Sequence, residues 1–144
     1  MSPMSMQTFY RIISKRGRKP AETHQRKVDA RIIRKLKLWV EEKRYCLTDQ
    51  SLADVATSFE VSEETLSYFF STVIKERFTS FRRILRLEEA HRIIMDEPDC
   101  KILDVASRVG IPDKCNFRKQ FHMRYGCSPS EWRSLCAKTL IKQV

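Results

Sequence analysis

The sequence is poor in glycine and proline and has no long apolar run. Its 144 residues include three Gly and five Pro, fewer than a chain of many short strands and tight turns needs. No apolar stretch approaches the ~20 residues of a membrane span. The start, MSPMSMQTFYRII, lacks the charged beginning, long apolar run and cleavage site of a signal peptide. Dense Leu, Ile, Arg, Lys and Glu instead favour an all-α protein. The missing membrane span and signal peptide predict a protein of the cytoplasm with no membrane segment.

Paired cysteines and metal-ligand motifs are also missing. The five cysteines form an odd number without a CxxC pair, which favours reduced thiols over a disulfide framework. None of the three histidines stands at metal-ligand spacing from a cysteine, and the chain has no HExxH, GxSxG or phosphate-binding loop. The sequence therefore predicts no metal, no cofactor and no catalytic residue, which indicates a protein that is not an enzyme.

Positive charge is in excess but unevenly distributed. The net charge is +10; residues 1–44 contribute +9, residues 45–76 contribute −5 and residues 112–144 contribute +5. A basic excess favours polyanionic partners through counterion release, although it also occurs on ordinary soluble proteins. Both ends of the chain are thus electropositive, whereas the segment between residues 45 and 76 is acidic.

The stretch Ile102–Phe121 has the pattern of two helices joined by a tight turn. Gly110 can adopt the left-handed conformation that ends a helix, and Pro112 suits the start of the next helix. Phe117 and Phe121 lie one turn apart and face inward. This pattern is typical of a helix-turn-helix, although an ordinary helical hairpin shares it. The residues left for the outer arc of the second helix are Lys114, Cys115, Asn116, Arg118 and Lys119.

The same pattern occurs twice in the chain. Leu52–Ala56 matches Ile102–Ala106 at an offset of fifty residues, and Leu66 matches Phe117 at an offset of fifty-one. Repetition of one supersecondary unit indicates two similar subdomains. Between them, apolar residues at helical spacing predict one linker helix over residues 80–96.

Several further positions occur in the order and spacing of a known family. They are Leu52, Ala56, Val61, Ser62, Leu66, Phe70, Phe78, Arg86-Leu87, Ala90, Ile102, Ala106, Gly110, Phe117, Phe121, Tyr125-Gly126 and Ser128–Arg133. Over this region the chain resembles the DNA-binding domain of the AraC/XylS-type bacterial transcription regulators. The resemblance implies two helix-turn-helix units on a connecting helix, each presenting a recognition helix to successive major grooves of double-stranded DNA. It thus implies a sequence-specific transcription regulator.

The expected organisation follows from the pattern and the resemblance together. A helix is predicted at Val28–Arg44, with an apolar stripe that covers the first motif. The predicted segments are a flexible basic arm over residues 1–23 and an AraC-type DNA-binding domain over residues 24–144, with helix-turn-helix units at 51–75 and 101–123, the linker helix at 80–96 and a C-terminal helix at 129–140.

In the first unit, Glu64, Ser67 and Tyr68 match the base-facing positions of the family. The sequence departs from the family here, because Glu63 and Glu64 stand where a basic residue is usual. Carboxylates are repelled by phosphates, although a Glu can accept a hydrogen bond from cytosine N4. Either this unit reads little DNA, or it reads with these side chains while other parts of the chain supply the positive charge.

In the second unit, Lys114, Cys115, Asn116 and Lys119 match the family's contact positions, and Arg118 is adjacent. A Lys can donate to guanine O6 or N7, and an Asn can pair bidentately with adenine. A Cys can meet a thymine methyl group. Contact with phosphates alone is the other interpretation of Asn116 and Arg118.

A separate DNA contact is suggested by the basic run at residues 15–20, KRGRKP. It resembles an AT-hook, which lays Arg side chains into a narrow A·T minor groove, so Arg16 and Arg18 are candidate contacts. Lys19 interrupts the usual core of that motif. A solvated basic linker is therefore the alternative interpretation.

Two other functions remain open at the level of sequence. The chain could be a protein-interaction module of the same fold that uses its acidic first unit to bind a partner such as RNA polymerase. It could also be the output domain of a sensor whose sensing part lies on another segment or chain. The sequence leaves the oligomeric state, the operator and the choice between activation and repression undetermined.

Overall fold

The computed structural model describes residues 5–17 and 24–142, apart from the side chains of residues 16, 17 and 140–142. Within these residues the chain forms eight α-helices and no strand, which confirms the predicted all-α class. The helices are α1 (Met6–Gly17), α2 (His24–Glu41), α3 (Leu52–Ser58), α4 (Glu63–Phe69), α5 (Phe78–Asp96), α6 (Ile102–Arg108), α7 (Lys114–Tyr125) and α8 (Pro129–Lys142).

Contacts between residues divide the chain into two compact units, Met1–Ile84 and Leu85–Val144. The boundary falls within α5, whose first seven residues belong to the first unit and whose remainder belongs to the second. Each unit contains one helix-turn-helix: α3 and α4 in the first, and α6 and α7 in the second.

The first unit is built around a cluster of aromatic rings. The ring of Phe70 lies 5.6 Å from that of Phe78 and 5.3 Å from that of Phe81, and Trp39 packs on Phe78 at 5.8 Å. Phe70 begins a π-helical segment, Phe70–Ile74, that continues α4. Helix α2 buries Ile32, Leu36, Trp39 and Val40 in this unit, and Trp39 contacts Phe78 of the cluster.

The predicted flexible arm is wrong for residues 6–17, which form α1. Phe9 is fully buried and Ile13 nearly so, and the Phe9 ring lies 5.4 Å from Phe81. Two apolar side chains one helical turn apart can be removed from water together, which stabilises the helix on the core. The basic run that follows masked this signal in the sequence.

The turn of the first helix-turn-helix has an unusual residue in a left-handed conformation. Glu60 has φ 59°, where the second unit has Gly110 at φ 87°. Helix α2 holds this turn: Arg31 Nη2 donates to the carbonyl of Glu60 at 2.9 Å, and Lys35 Nζ lies 3.6 Å from its carboxylate. After the turn, Ser62 caps α4 by accepting from the Thr65 N–H at 3.1 Å.

The second unit packs α6, α7 and α8 around the later part of α5. His91 on α5 stacks between two aromatic rings, 4.4 Å from Tyr125 and 4.0 Å from Trp132. Trp132 Nε1 also donates to the carbonyl of His91 at 3.2 Å. The buried residues of this helix-turn-helix are Val105, Ala106, Val109, Ile111, Phe117 and Phe121.

Replacing Phe9 by Ala tests whether α1 is part of the fold. Because the ring is fully buried against Phe81, we expect the free energy of unfolding of the first unit to fall by about 3 kcal/mol. Urea unfolding followed by circular dichroism measures it, with the exposed Arg11→Ala on the same helix as control. An unchanged midpoint for Phe9→Ala would mean that residues 6–17 are the arm predicted from sequence.

A second prediction concerns the strained turn. The left-handed conformation disfavours any residue with a Cβ, so Glu60→Gly is expected to be about 1 kcal/mol more stable than Glu60→Ala. Both variants lack the carboxylate that pairs with Lys35, so their difference isolates the backbone effect. Urea unfolding of the two proteins side by side would contradict this if Glu60→Ala were equally or more stable.

Candidate nucleic-acid interface

Helix α7 has a buried face and a basic face. Phe117 and Phe121 are fully buried in the second unit, and the 3.6-residue period of a helix leaves the opposite side in solvent. The five side chains predicted for the outer arc are all exposed: Lys114, Cys115, Asn116, Arg118 and Lys119. Lys114, in the first turn of α7, is exposed although it precedes Phe117 by three residues.

Four of these five side chains line one open groove of about 540 Å³ on the surface of α7. Among the described residues this groove is lined by three cationic side chains and by no carboxylate. A polyanion would therefore meet only favourable or neutral charges there. The lining residues are Lys114, Cys115, Arg118, Lys119, His122, Met123 and Ser128.

Asn116 is exposed but does not line this groove. Its Oδ1 accepts a hydrogen bond from Gln120 Nε2 at 2.9 Å, and its backbone N–H donates to Asp113 at 2.7 Å. The side chain is thus oriented along the helix by Gln120. Its amide NH₂ still has donors to offer to an acceptor on a base or a phosphate.

The sequence interpretation missed three residues of the groove: Ser128, which follows α7, and two residues of α7 itself, His122 and Met123. Met123 is 76% exposed, the highest value among the large apolar side chains described. His122 and Met123 lie one turn beyond Arg118 and Lys119, so helical spacing alone could have identified them. They extend the surface of α7 by one turn.

Helix α7 is held firmly at both ends. Asp113 caps its N-terminus, and Gly126 ends it at φ 75°. In its last turn, Arg124 Nη2 lies 2.8 Å from Glu88 on α5, and both side chains are largely buried. A rigid helix keeps the spacing of its exposed side chains constant, as a surface that reads a repeating polymer requires.

In the first unit, the candidate residues Glu64, Ser67 and Tyr68 are all exposed on α4. Glu64 and Tyr68 are one turn apart and share a face; Tyr68 is 55% exposed. Ser67 instead lines a groove of about 880 Å³, together with Lys75 and other residues of the first unit. The three side chains are therefore accessible, but only Ser67 lies in a basic groove.

The positions of the Arg16 and Arg18 side chains, the candidate contacts in the basic run at residues 15–20, are not described. Gly17 ends α1, but the side chain of Arg16 and the whole of Arg18 lie outside the described residues. Both remain predictions.

Features of other protein classes were sought in the part of the chain that the structure describes. No group of three or more His, Cys, Asp or Glu side chains there is arranged to hold a metal ion. No helix in it has the length and apolar character needed to cross a bilayer.

The family model and the relatives that match this chain are all of the helix-turn-helix type. A family model described as a helix-turn-helix domain matches residues 55–134. The HTH-type transcriptional regulator ExsA of Pseudomonas aeruginosa is 28% identical over 111 residues, which are 75% of this chain and 38% of ExsA. An uncharacterized HTH-type transcriptional regulator of Escherichia coli, YpdC, is 32% identical over 95 residues, or 65% of this chain and 32% of that protein. The chain thus spans about a third of the length of these relatives.

A solved structure shares the fold. The C-terminal domain of AraT, a response regulator from Geobacillus stearothermophilus, superposes with a TM-score of 0.64 at 24% identity, covering 71% of this chain and 83% of that domain.

The half-buried His91 of the second unit generates a prediction on pH. Burial, and then the positive charge of Arg124, lower the pKa of His91 below its usual value of 6.5. The unfolded chain therefore binds a proton on His91 more readily than the folded chain, so the stability that the neutral ring contributes is lost as the pH falls below about 6.5.

We expect the free energy of unfolding of the second unit to decrease between about pH 7.5 and about pH 5.5. The fluorescence of Trp132 during urea unfolding, in a Trp39→Phe background, reports on this unit. His91→Phe keeps a ring in the stack and should flatten the dependence, whereas the exposed His122→Gln should not. An equal slope in both variants would contradict the assignment to His91.

Proposed function

Because the chain belongs to the AraC-type helix-turn-helix family, we propose that it is a DNA-binding transcription regulator that uses one recognition helix in each unit. Helix α7 is the recognition helix of the second unit, and α4 is that of the first. A regulator of this kind acts on chromosomal DNA, so its place is the cytoplasm of a bacterial cell.

The observation that carries this proposal is the basic groove of α7. Lys114 and Lys119 are exposed on a helix fixed at both ends, and Arg118 lies between them. In a major groove a Lys donates to guanine O6 and N7 or to a phosphate oxygen. The uncharged Cys115 can meet a thymine methyl group, and Asn116 can donate to adenine N7.

Helix α4 can contact base edges with acidic and uncharged side chains instead of basic ones. Glu64 and Tyr68 share an exposed face, and Ser67 lies one position before Tyr68. Glu64 can accept from cytosine N4, and Ser67 can donate or accept. Two unlike recognition helices predict a binding site whose two halves differ in sequence. If the protein acts as a two-fold dimer, this composite site would occur twice, related by symmetry.

A second candidate function is favoured by one observation on the same helix. The exposed ring of Tyr68 lies one helical turn from Glu64, and Glu63 is also exposed in the first turn of α4. Aromatic side chains are enriched at protein interfaces, so this face can bind a basic surface of a protein partner, for which RNA polymerase is the candidate. The two functions compete for one face of α4, so a chain that binds a partner through Tyr68 would read DNA through α7 alone.

The chain can also serve as the output part of a larger regulator. The chain spans about a third of the length of its relatives, and the AraT domain is the C-terminal domain of a response regulator. A sensing part would then lie on another segment or chain.

We predict that Lys114→Gln/Lys119→Gln lowers affinity for the preferred DNA site about 100-fold, because two contacts of 1–3 kcal/mol each are lost. The preferred site is first obtained by selecting wild-type protein on a random-sequence duplex pool at near-physiological salt, and affinity is measured by fluorescence anisotropy. The matched control is Lys37→Gln/Lys138→Gln, which removes two exposed lysines, one from each unit.

The selection itself can contradict the proposal. If no motif emerges from the pool and the remaining binding is lost on adding salt, the basic ends form only a non-specific polyanion surface. Unchanged affinity in the Lys114→Gln/Lys119→Gln variant would likewise exclude α7 as a recognition helix and favour the partner-binding function.

A further inference from the structure

The first unit presents an electrostatic problem for a DNA-binding protein. From residue 46 to residue 74 the sequence contains five carboxylates and no Lys or Arg. Two of them, Glu63 and Glu64, are exposed in the first turn of α4. A recognition helix with this charge is repelled by phosphates unless nearby groups reverse the local potential.

Helix α2 carries the opposite charge along one face. Between His24 and Glu41 it has six Lys or Arg and two acidic residues. Four of the six fall within about 100° of one another around the helix axis, so they follow one side of the helix. This basic stripe consists of Lys27, Arg31, Arg34 and Lys35.

Two members of the basic stripe fix its position relative to the recognition helix. Arg31 donates to the carbonyl of Glu60, and Lys35 lies against its carboxylate. Glu60 precedes Ser62, the cap of α4, by two residues. The stripe therefore borders the N-terminal end of α4, and the N-terminal residues of a recognition helix are those that contact bases.

The other two members are available to a ligand. Lys27 and Arg34 are exposed, and neither has an ion-pair or hydrogen-bond partner in the part of the chain that the structure describes. Their separation of seven residues corresponds to about 10 Å along the helix. Because Lys and Arg have long flexible stems, their charged ends can adjust to two phosphates of one strand.

We propose that the basic stripe of α2 binds the phosphates of the DNA strand that flanks the major groove entered by α4. It thereby supplies the positive charge that α4 lacks. This inference rests on the proposed function and adds to it a second DNA-contacting element in the first unit. Glu60 orients Arg31 and Lys35, while Lys27 and Arg34 contact phosphates directly. Glu64, Ser67 and Tyr68 can then face base edges without having to attract the backbone.

The test is the variant Lys27→Gln/Arg34→Gln in the full chain, which leaves both contacts of Glu60 intact. Each lost phosphate contact removes about 0.9 from the slope of log affinity against log salt concentration. We expect the slope to become shallower by about 2 and the affinity near 0.15 M salt to fall about 30-fold. Fluorescence anisotropy on the selected duplex, at four or more salt concentrations, measures both quantities.

The control Lys37→Gln/Lys138→Gln changes the net charge equally. Lys37 lies on the same helix but outside the stripe, about 100° around the axis from the middle of the four residues and about 60° from Arg34, its nearest member. We expect the affinity of this control variant for the selected duplex to stay within about threefold of wild type. An equal loss in both double variants would show that only net charge matters and would overturn the proposal. Thermal unfolding of both variants should be unchanged, because all the altered side chains are exposed.

Failure of this inference and failure of the proposed function give different results. If Lys27→Gln/Arg34→Gln binds as wild type while Lys114→Gln/Lys119→Gln does not, the stripe proposal is wrong and the regulator function stands. If the wild-type chain prefers no duplex sequence, both are wrong. Tighter binding of the wild-type chain to single-stranded RNA of the same length than to the selected duplex would also overturn the proposal and make RNA the partner of the stripe.

Discussion

Apolar residues one helical turn apart determine both the core and the candidate interface, because burying them fixes which other side chains of the helix are exposed. Phe117 and Phe121 in α7 are fully buried, and Leu66 and Phe70 hold the corresponding positions in the first unit. Once these pairs are removed from water, 3.6 residues per turn leave no freedom in which side chains face outward. Recognition residues are thus selected by what the helix buries, and a shift of one residue in either pair would present a different set to a ligand.

The same constraint explains what the sequence could and could not predict. The two motifs and the apolar stripe of α2 were predictable because each buries residues at regular spacing. Helix α1 was not predicted, because Phe9 and Ile13 form a single short pair beside a conspicuous basic run. His122 and Met123 were missed for a different reason, since family positions were followed instead of the helix surface. The contacts of Arg31 and Lys35 with Glu60 join residues 25 or more apart, so no local pattern contains them.

The two helices that we propose as recognition helices, α4 and α7, expose opposite charges, and the physical consequences differ. On α7, Lys114, Arg118 and Lys119 can provide attraction and reading from one surface. On α4, exposed carboxylates can discriminate between bases but oppose approach to the backbone. The groups that contact phosphates and the groups that contact bases can lie on different helices. Phosphate contacts set affinity and register, while base contacts set sequence preference.

Glu60 affects both the folding of the first unit and the placement of positive charge beside α4. A Gly at this turn, as in the second unit, would relieve the left-handed backbone but would offer α2 no carboxylate. With Glu, the strain of about 1 kcal/mol is offset in part by a carboxylate that Lys35 approaches to 3.6 Å. An exposed ion pair of this kind contributes at most about 1 kcal/mol to stability. The backbone strain and the ion pair therefore nearly cancel in the free energy of folding. The main effect of Glu60 is to orient Arg31 and Lys35, which it holds beside the start of the acidic helix α4.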